Sequence, residues 1–553
     1  MKKADELLFL PLGGSGEIGM NMNLYGFGPR HAPRWLMIDC GVTFGDLSTP
    51  GVDLITPDPA FILEHKERLL GLILTHGHED HIGAVALIAP LLGCPVYATP
   101  FTAELVKDKL EERGARIDLR VIDMGSRLDI GPFDIEFVTL THSIPEPNGI
   151  VLRTPLGTVL HTGDWKIDPE PTLGPVTDSP TLRALGDEGV LVMVCDSTNV
   201  LSAGESGSEM RVRESLKSLI KAQKGRVAVT TFASNVSRVV SICQAAAAAD
   251  RSVCLLGRSM HRIVNAARAV DLLPGAIRFV ETEHAGFLPR EHVLYLCTGS
   301  QGEPRAALAR IARDDHPELT LESGDTVIFS SKIIPGNERE IYGLMNSLVD
   351  QGVKVITEKD AFVHVSGHPN RDELKKMYEW VRPRFAVPVH GEARHLEAHA
   401  DFALTLGVED SLAPRNGDLI RLAPGEVEVV EEVRSGRLHL DGNILVPDDA
   451  GPMRERRKLG FAGVVAVAVS IDRSGALAAR PTVALMGAPR QSDLEPDWAS
   501  AVAEAVEKAV QSLPKPKRLD DLAIDTAAMR AARNLINELW GKRAAIAVLV
   551  QRV

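Results

Sequence analysis

The stretch GLILTHGHEDHIG, residues 71–83, decides how this chain is read. Its apolar run 72–74 is a strand signal, and the polar loop that follows carries His76, His78, Asp80 and His81. His76 and His78 are two apart, so in an extended loop their imidazoles project to one side and can hold one cation. Asp80 and His81 follow at once and can turn toward a second cation about 3.5–4 Å away, the usual spacing of two-metal hydrolases. Imidazole with carboxylate suits zinc or manganese better than calcium, which takes oxygen ligands alone. Only 17 of the 553 residues are His, so three of them within six positions is not surface composition.

Working outward, further ligand types stand at the ends of strand-like runs. His142 follows the run 133–140, Asp164 closes His161-Thr162-Gly163-Asp164, and the run 385–389 delivers His390. These complete a count: His76, His78 and His142 for one metal, Asp80, His81 and His390 for the other, with Asp164 able to bridge. Rigid strand ends are where such ligands are best held. His364, Ser366 and His368 precede a helical stretch and read equally as packing residues or site residues.

Gly14, Gly16 and Gly19 fit G-x-G-x-x-G, and Asp39 follows at the distance of a dinucleotide-binding acid. That fingerprint needs a helix directly after the glycines. The sequence there is MNMNLYGFGPR, which reads as strand and turn, so the glycines are expected to let backbone pack close to the metal loop.

From about residue 201 the pattern alternates helix and strand, as an inserted α/β domain with a parallel sheet would. Several of its strands end in small polar clusters, among them Thr231-Phe232-Ala233-Ser234-Asn235, whose hydroxyls and N–H groups suit phosphate. Residues 446–461, with Pro447, Pro452 and a basic run 454–458, read as a linker, and 462–553 as a small α/β domain. The expected division is 1–205 and 363–445 for the metal domain, 206–362 for the insertion, 446–461 for the linker and 462–553 for the C-terminal domain.

The chain has a net charge of −13, which excludes a broadly basic nucleic-acid coat and leaves room only for a focal polyanion site. Six scattered cysteines with no C-x-x-C read as reduced, buried thiols. The N-terminal run MKKADELLFLPLGG is broken by Asp5 and Glu6, so no signal peptide is expected, nor is any segment long enough to span a membrane. A cytoplasmic location is expected.

His76-x-His78-x-Asp80-His81, with Asp39, His142, Asp164 and His390, resembles the motif set of the metallo-β-lactamase fold. Asp196 in CDSTN, His368 in HVSGH and His390 are similar to the three motif residues of its β-CASP group. With FASN, SSKIIPGNE and the C-terminal domain, the chain resembles the bacterial ribonuclease J family over essentially its full length. The resemblance implies a four-layer αβ/βα metal domain, an inserted α/β β-CASP domain, and a cleft between them that hydrolyses RNA. It implies two divalent cations, zinc or manganese, and 5′→3′ exonuclease with endonuclease action in RNA maturation and decay. Single-stranded RNA with a 5′-monophosphate is the implied substrate, held by Phe232, Ala233, Ser234, His364, Val365, Ser366, Gly367 and His368. A homodimer, formed through the C-terminal domain, and contact with RNA-decay machinery are implied as well.

The residue chemistry agrees with hydrolysis. Asp80 and Asp164 can orient the attacking water beside two cations. A protonated His368, its ring held by Asp196, can serve the departing 3′-oxygen as general acid. Asp441 in LDGN is a thin basis for an extra structural cation. The rival readings are a small-molecule metallohydrolase using the same ligands, a catalytically silent RNA-binding scaffold, and an oxidoreductase using Gly14, Gly16 and Gly19.

Overall fold

The computed structural model describes residues 5–46, 48–489 and 497–553; Lys2 and Lys3 of the N-terminal run lie outside them. The chain forms two compact units, Met1–Thr43 with Ile55–Arg437, and Phe44–Leu54 with Leu438–Val553.

The first unit is built on two facing sheets. One has eight strands in the order Glu428–Glu432, Asp418–Ala423, Glu6–Gly13, Met22–Gly28, Arg34–Ile38, Leu69–Ile73, Val96–Ala98, Leu119–Val121. The other has seven: Arg127–Ile130, Phe133–Thr139, Asn148–Thr154, Gly157–His161, Val192–Asp196, Phe385–Val389, Asp410–Ser411. Successive strand side chains point to opposite faces, and the sequence uses both. Val192 and Val194 enter the core between the sheets with Phe9, Tyr25, Ile38, Ile73 and Phe137. Met193 and Cys195, one residue out of phase, pack outward under the helices Ser179–Glu188 and Arg371–Val381. Each such buried side chain contributes about 1.5–3 kcal/mol. Helices Val85–Leu92 and Pro100–Arg113 follow strands of the first sheet and supply the remaining layer. The result is the expected αβ/βα arrangement.

The insertion leaves and re-enters between neighbours. Val192–Asp196 and Phe385–Val389 pair in parallel, in register from Val192 opposite Phe385 to Asp196 opposite Val389. Between them the chain builds a separate five-stranded sheet, ordered Ser252–Leu256, Val293–Cys297, Val227–Thr230, Thr326–Phe329, Lys354–Ile356, in which every pairing is parallel. Crossover helices such as Val236–Ala247 and Glu338–Asp350 connect these strands.

A buried ion pair fastens this insertion. Arg238 and Glu209 lie 2.9 Å apart with side chains 0% and 3% exposed. Arg238 also donates to the Ser330 carbonyl and to the Val363 carbonyl, so one guanidinium ties two helices, a strand end and the returning chain. Burial alone would raise the Glu209 carboxyl, but the Arg238 charge outweighs it and holds the group down at about 2.

In the second unit Thr482–Met486, Val464–Ile471 and Ala545–Arg552 form a sheet backed by helices Trp498–Gln511 and Asp521–Trp540. Two expectations change here. The segment 446–461 is not a bare linker, because Gly451–Ala462 is helical, started by Pro452 in its first turn. Arg456 from that helix makes a two-pronged pair with Asp441, at 2.7 and 3.0 Å, so the carboxylate considered for a structural cation already has a cationic partner.

Removing the Glu209 carboxylate strands a buried guanidinium. Glu209→Ala is expected to destabilise the insertion by about 3–5 kcal/mol, read as an earlier urea transition. Because the folded-state pKa is depressed, the stabilisation is present above the ordinary glutamate pKa and is lost as pH falls from about 4.5 toward about 2; the variant's stability is expected to fall less steeply than wild type across that window.

Candidate metal centre

Backbone geometry brings the decisive loop to its place. After the strand Leu69–Ile73 the chain turns through His76 to a single helical turn, Glu79–Ile82, which carries Asp80 and His81. The loop is stitched from behind: Asn21 N–H donates to the Asp80 carbonyl, and Cys40 N–H to the His81 carbonyl. Gly41 makes the approach possible, because a Cβ there would lie 1.7 Å from the Asp80 carbonyl oxygen. The residues that meet the metal loop here are Asn21, Cys40 and Gly41 rather than Gly14, Gly16 and Gly19, and the latter are followed by the strand Met22–Gly28, with no helix for a dinucleotide phosphate.

Three groups of ligand-type side chains among the described residues share one carboxylate: His76, His78, His142 and Asp164; Asp80, His81, His390 and Asp164; and Asp164, Asp196, His368 and His390. In the first, His78 Nδ1 lies 3.1 Å from His76 Nε2 and 3.0 Å from His142 Nε2. In the second, Asp164 Oδ2 is 3.3 Å from His81 Nε2 and 3.4 Å from His390 Nε2, while Asp80 Oδ2 is 3.6–3.7 Å from both imidazoles.

Outer hydrogen bonds settle which nitrogen of each ring holds its proton. His142 Nδ1 donates to the Gly367 carbonyl at 2.5 Å, and His81 Nδ1 to Asp39 Oδ2 at 2.6 Å. Thr75 Oγ1 donates to Asp39 and so accepts from His76 Nδ1. The Asn21 carboxamide brackets His390 Nδ1, with Oδ1 at 3.1 Å and Nδ2 at 2.9 Å. With Oδ1 accepting that proton, the Nε2 atoms of His76, His142 and His390 are lone pairs aimed inward, while His81 Nε2 lies 3.3 Å from Asp164 Oδ2.

Lone pairs facing one another without protons repel unless a cation lies between them. Two buried atoms at the centre, His390 Nε2 and Asp164 Oδ1, have no hydrogen-bond partner. The donor set of imidazole and carboxylate therefore fits divalent metal cations.

Protonation agrees. Burial, helped by neighbouring imidazoles, pushes His76 and His142 well below the usual histidine range, and burial pushes His78 down to about 4. Burial opposes charge at Asp164, but His390, His81 and His368 outweigh it and keep the carboxyl far below its ordinary value. At His81 the three carboxylates Asp164, Asp39 and Asp80 overcome burial and hold a proton, which a bound cation would displace.

Beside this cradle stand Asp196 and His368. Asp196 Oδ2 lies 2.8 Å from His368 Nδ1, and His368 Nδ1 is 3.8 Å from Asp164. Burial lowers the imidazole, but Asp196 and Asp164 outweigh it and raise it to about 9. The loop 363–368 has neither strand nor helix. Asn199 Nδ2 donates to Ser366 Oγ at 2.7 Å, and Ser366 Oγ accepts from His368 N–H. Phe232, Ala233 and Ser234 are half-buried between the strand Val227–Thr230 and the helix capped by Asn235. They join the 363–368 segment through Arg238, which takes its N-cap from Asn235 and donates to the Val363 carbonyl. His364 Nδ1 is buried with no hydrogen-bond partner, and Arg238, Lys332 and Lys166 help depress its pKa to about 3 after burial itself. Val365 is buried under Gly207.

Sequence reasoning did not single out Asn21, Thr75 or Asn199. Asn21 lies in the recognised glycine loop and Thr75 inside the decisive stretch, but neither carries a metal-ligand signature.

Four family models match the chain: "Metallo-beta-lactamase superfamily" over residues 31–229, "Ribonuclease J, beta-CASP domain" over 224–348, "Zn-dependent metallo-hydrolase RNA specificity domain" over 352–412, and "Ribonuclease J C-terminal domain" over 451–553. A ribonuclease J from Sinorhizobium meliloti is 48% identical over 555 residues, covering 100% of this chain and 98% of that protein. The ribonuclease J of Mycolicibacterium smegmatis is 38% identical, covering 96% and 95%. Among solved structures, a protein of unknown function from Enterococcus faecalis V583 superposes with a TM-score of 0.54 over 75% of this chain and 100% of its own, at 14% identity, a likeness of fold alone.

Asn21→Ala removes the partner of His390 Nδ1 and is expected to weaken the second cation's binding about 10–100-fold, measured by equilibrium dialysis, with the circular dichroism unchanged.

Proposed function

The chain belongs to the ribonuclease J family and is a metal-dependent ribonuclease; from this premise we propose that it removes nucleotides 5′→3′ from RNA ends bearing a 5′-monophosphate and also cuts internally, in RNA maturation and decay. The observation that carries the reading is the double cradle of lone pairs sharing Asp164, with the Asp196–His368 pair at its edge.

His76, His78 and His142 would hold one cation, Asp80, His81 and His390 the other, and Asp164 both. Zinc suits this donor set best, with manganese acceptable in activity. Bound there, the cations supply Lewis-acid charge that makes water more acidic and neutralises phosphate oxygens. Asp80 and Asp164 orient the attacking water for in-line approach to phosphorus. His368 protonates the departing 3′-oxygen, and Asp196 holds its ring and keeps its proton in place. Phe232, Ala233, Ser234 and the segment His364, Val365, Ser366, Gly367 and His368 receive the terminal phosphate. The unpartnered His364 nitrogen and the nearby exposed Lys332 support an anion there.

We propose the domain division 1–205 with 363–445 for the metal domain, 206–362 for the insertion, 446–461 for the linker and 462–553 for the C-terminal domain, the later part of the linker being helical. We assign the protein to the cytoplasm: its six cysteines are buried free thiols, and no helix among the described residues is long and apolar enough to cross a membrane. A homodimer is proposed, with the C-terminal domain as its seat, in contact with other decay enzymes.

End-labelled single-stranded RNA with a 5′-monophosphate or a 5′-triphosphate is the test. Wild type in zinc or manganese is expected to release mononucleotides much faster from the monophosphorylated RNA, and His76→Ala to release none. Degradation of neither RNA, with both still bound, would replace the enzyme reading by that of a silent scaffold. Separately, His368→Ala is expected to lose about 10²–10⁴-fold in kcat while keeping its metal content by elemental analysis; equal loss of metal would move His368 from proton donor to ligand.

A further inference from the structure

The loop that would receive the 5′-phosphate is also built into the first cation cradle. His142, whose Nε2 lone pair points into that cradle, donates its Nδ1 proton to the Gly367 carbonyl at 2.5 Å. The contact is close enough that position 367 accepts only glycine: a Cβ would lie 2.8 Å from His142 Cε1 and 2.8 Å from Ser143 Oγ. Gly367 is covalently one residue from Ser366 and three from His364, so the carbonyl that orients the ligand moves with the phosphate-receiving residues.

Few bonds hold this loop. Between Ile356 and Arg371 there is no strand or helix. Val363 is tied to Arg238 and Ser330, Ser366 to Asn199, and His368 to Asp196. Asn199 Nδ2 also donates to the His368 carbonyl at 3.3 Å, so this one carboxamide spans the loop on both sides of Gly367. A loop without ladder hydrogen bonds loses freedom when an anion binds to it, and that ordering extends to every group it carries.

We propose that the 5′ end of the RNA and the first cation bind cooperatively through the Gly367–His142 hydrogen bond, with Asn199 as the positioning residue that keeps the loop in register. The inference rests on the phosphate-pocket reading above. Linkage makes the effect mutual: RNA that tightens the cation is itself tightened by the cation by the same factor. An enzyme so built keeps its cations best when a correct end is in place.

The experiment uses the metal-stripped full chain, titrated with zinc against a chromophoric chelator. The titration is run alone and with saturating oligoribonucleotide made resistant by a methylphosphonate at its first linkage, bearing either a 5′-monophosphate or a 5′-hydroxyl. Fluorescence anisotropy of the same oligonucleotides reads their own affinity. The monophosphate is expected to tighten zinc binding about tenfold, within the usual range of coupling between sites, and the hydroxyl oligonucleotide less than about twofold. Asn199→Ala is expected to weaken zinc about tenfold on its own, as loss of a group orienting a ligand does, and to shrink the monophosphate's enhancement. Gly367→Ala is expected to weaken zinc further, and Asn199→Ala guards against a folding defect in it. If the monophosphate oligonucleotide binds preferentially yet zinc affinity does not move, the coupling is overturned and the phosphate pocket stands. If the two oligonucleotides bind equally, the pocket reading fails and the coupling falls with it.

Discussion

The Oδ2 atom of Asp164 lies 3.3–3.8 Å from a nitrogen of each of His76, His81, His142, His368 and His390. A carboxylate 2% exposed in that position is ionised only because positive charge surrounds it, while burial keeps His76 and His142 neutral and the carboxylates hold a proton on His81 and His368. Most of the first unit can be understood as the apparatus that makes this crowding tolerable. Five segments far apart in sequence must end at one point, so strands deliver the ligands and the backbone bends sharply where they arrive. Asp39 and His390 both take left-handed conformations, with φ of 64° and 54°, a cost that non-glycine residues bear mainly at constrained sites.

The charges that sit outside the cradle serve a different end. Arg238 and Glu209 form a buried pair whose desolvation makes it a poor source of net stability compared with an apolar substitute. What the pair does instead is fix positions: the guanidinium reaches the Val363 carbonyl just where the chain turns back toward the metals. A hydrophobic contact would hold these elements together without specifying the angle of the returning loop.

Much of the fold and of the centre was legible because its chemistry is concentrated in rare residues. Histidines two and three apart before a short helical turn are hard to produce for any purpose but metal binding, and the strand ends bearing His142, Asp164 and His390 could be counted toward that one site. The supporting residues were not legible. Asn21, Thr75 and Asn199 act through a single hydrogen bond or two, made to partners up to 369 positions away, and an asparagine or threonine in a loop has many ordinary uses. The helix Ala393–Thr405 carries little apolar signal, because a partly buried helix beside a sheet needs only a few apolar contacts, here Leu396, Ala400 and Ala403. The pairing of Asp441 with Arg456 was hidden for a related reason: the acid's partner sat in a run of charges that read as linker. Local composition marks where charge is; it does not mark what the charge touches.

The parallel pairing of Val192–Asp196 with Phe385–Val389 has a consequence for the order in which this molecule comes into being. Chains emerge from the ribosome N-terminus first, so His76, His78, His142 and Asp164 are all outside before the insertion has begun to appear. Asp196 then waits, its neighbouring strand not yet made, until the whole intervening sheet has been translated and His368 and His390 follow. A nascent chain can therefore gather one half of its centre early but cannot complete the other.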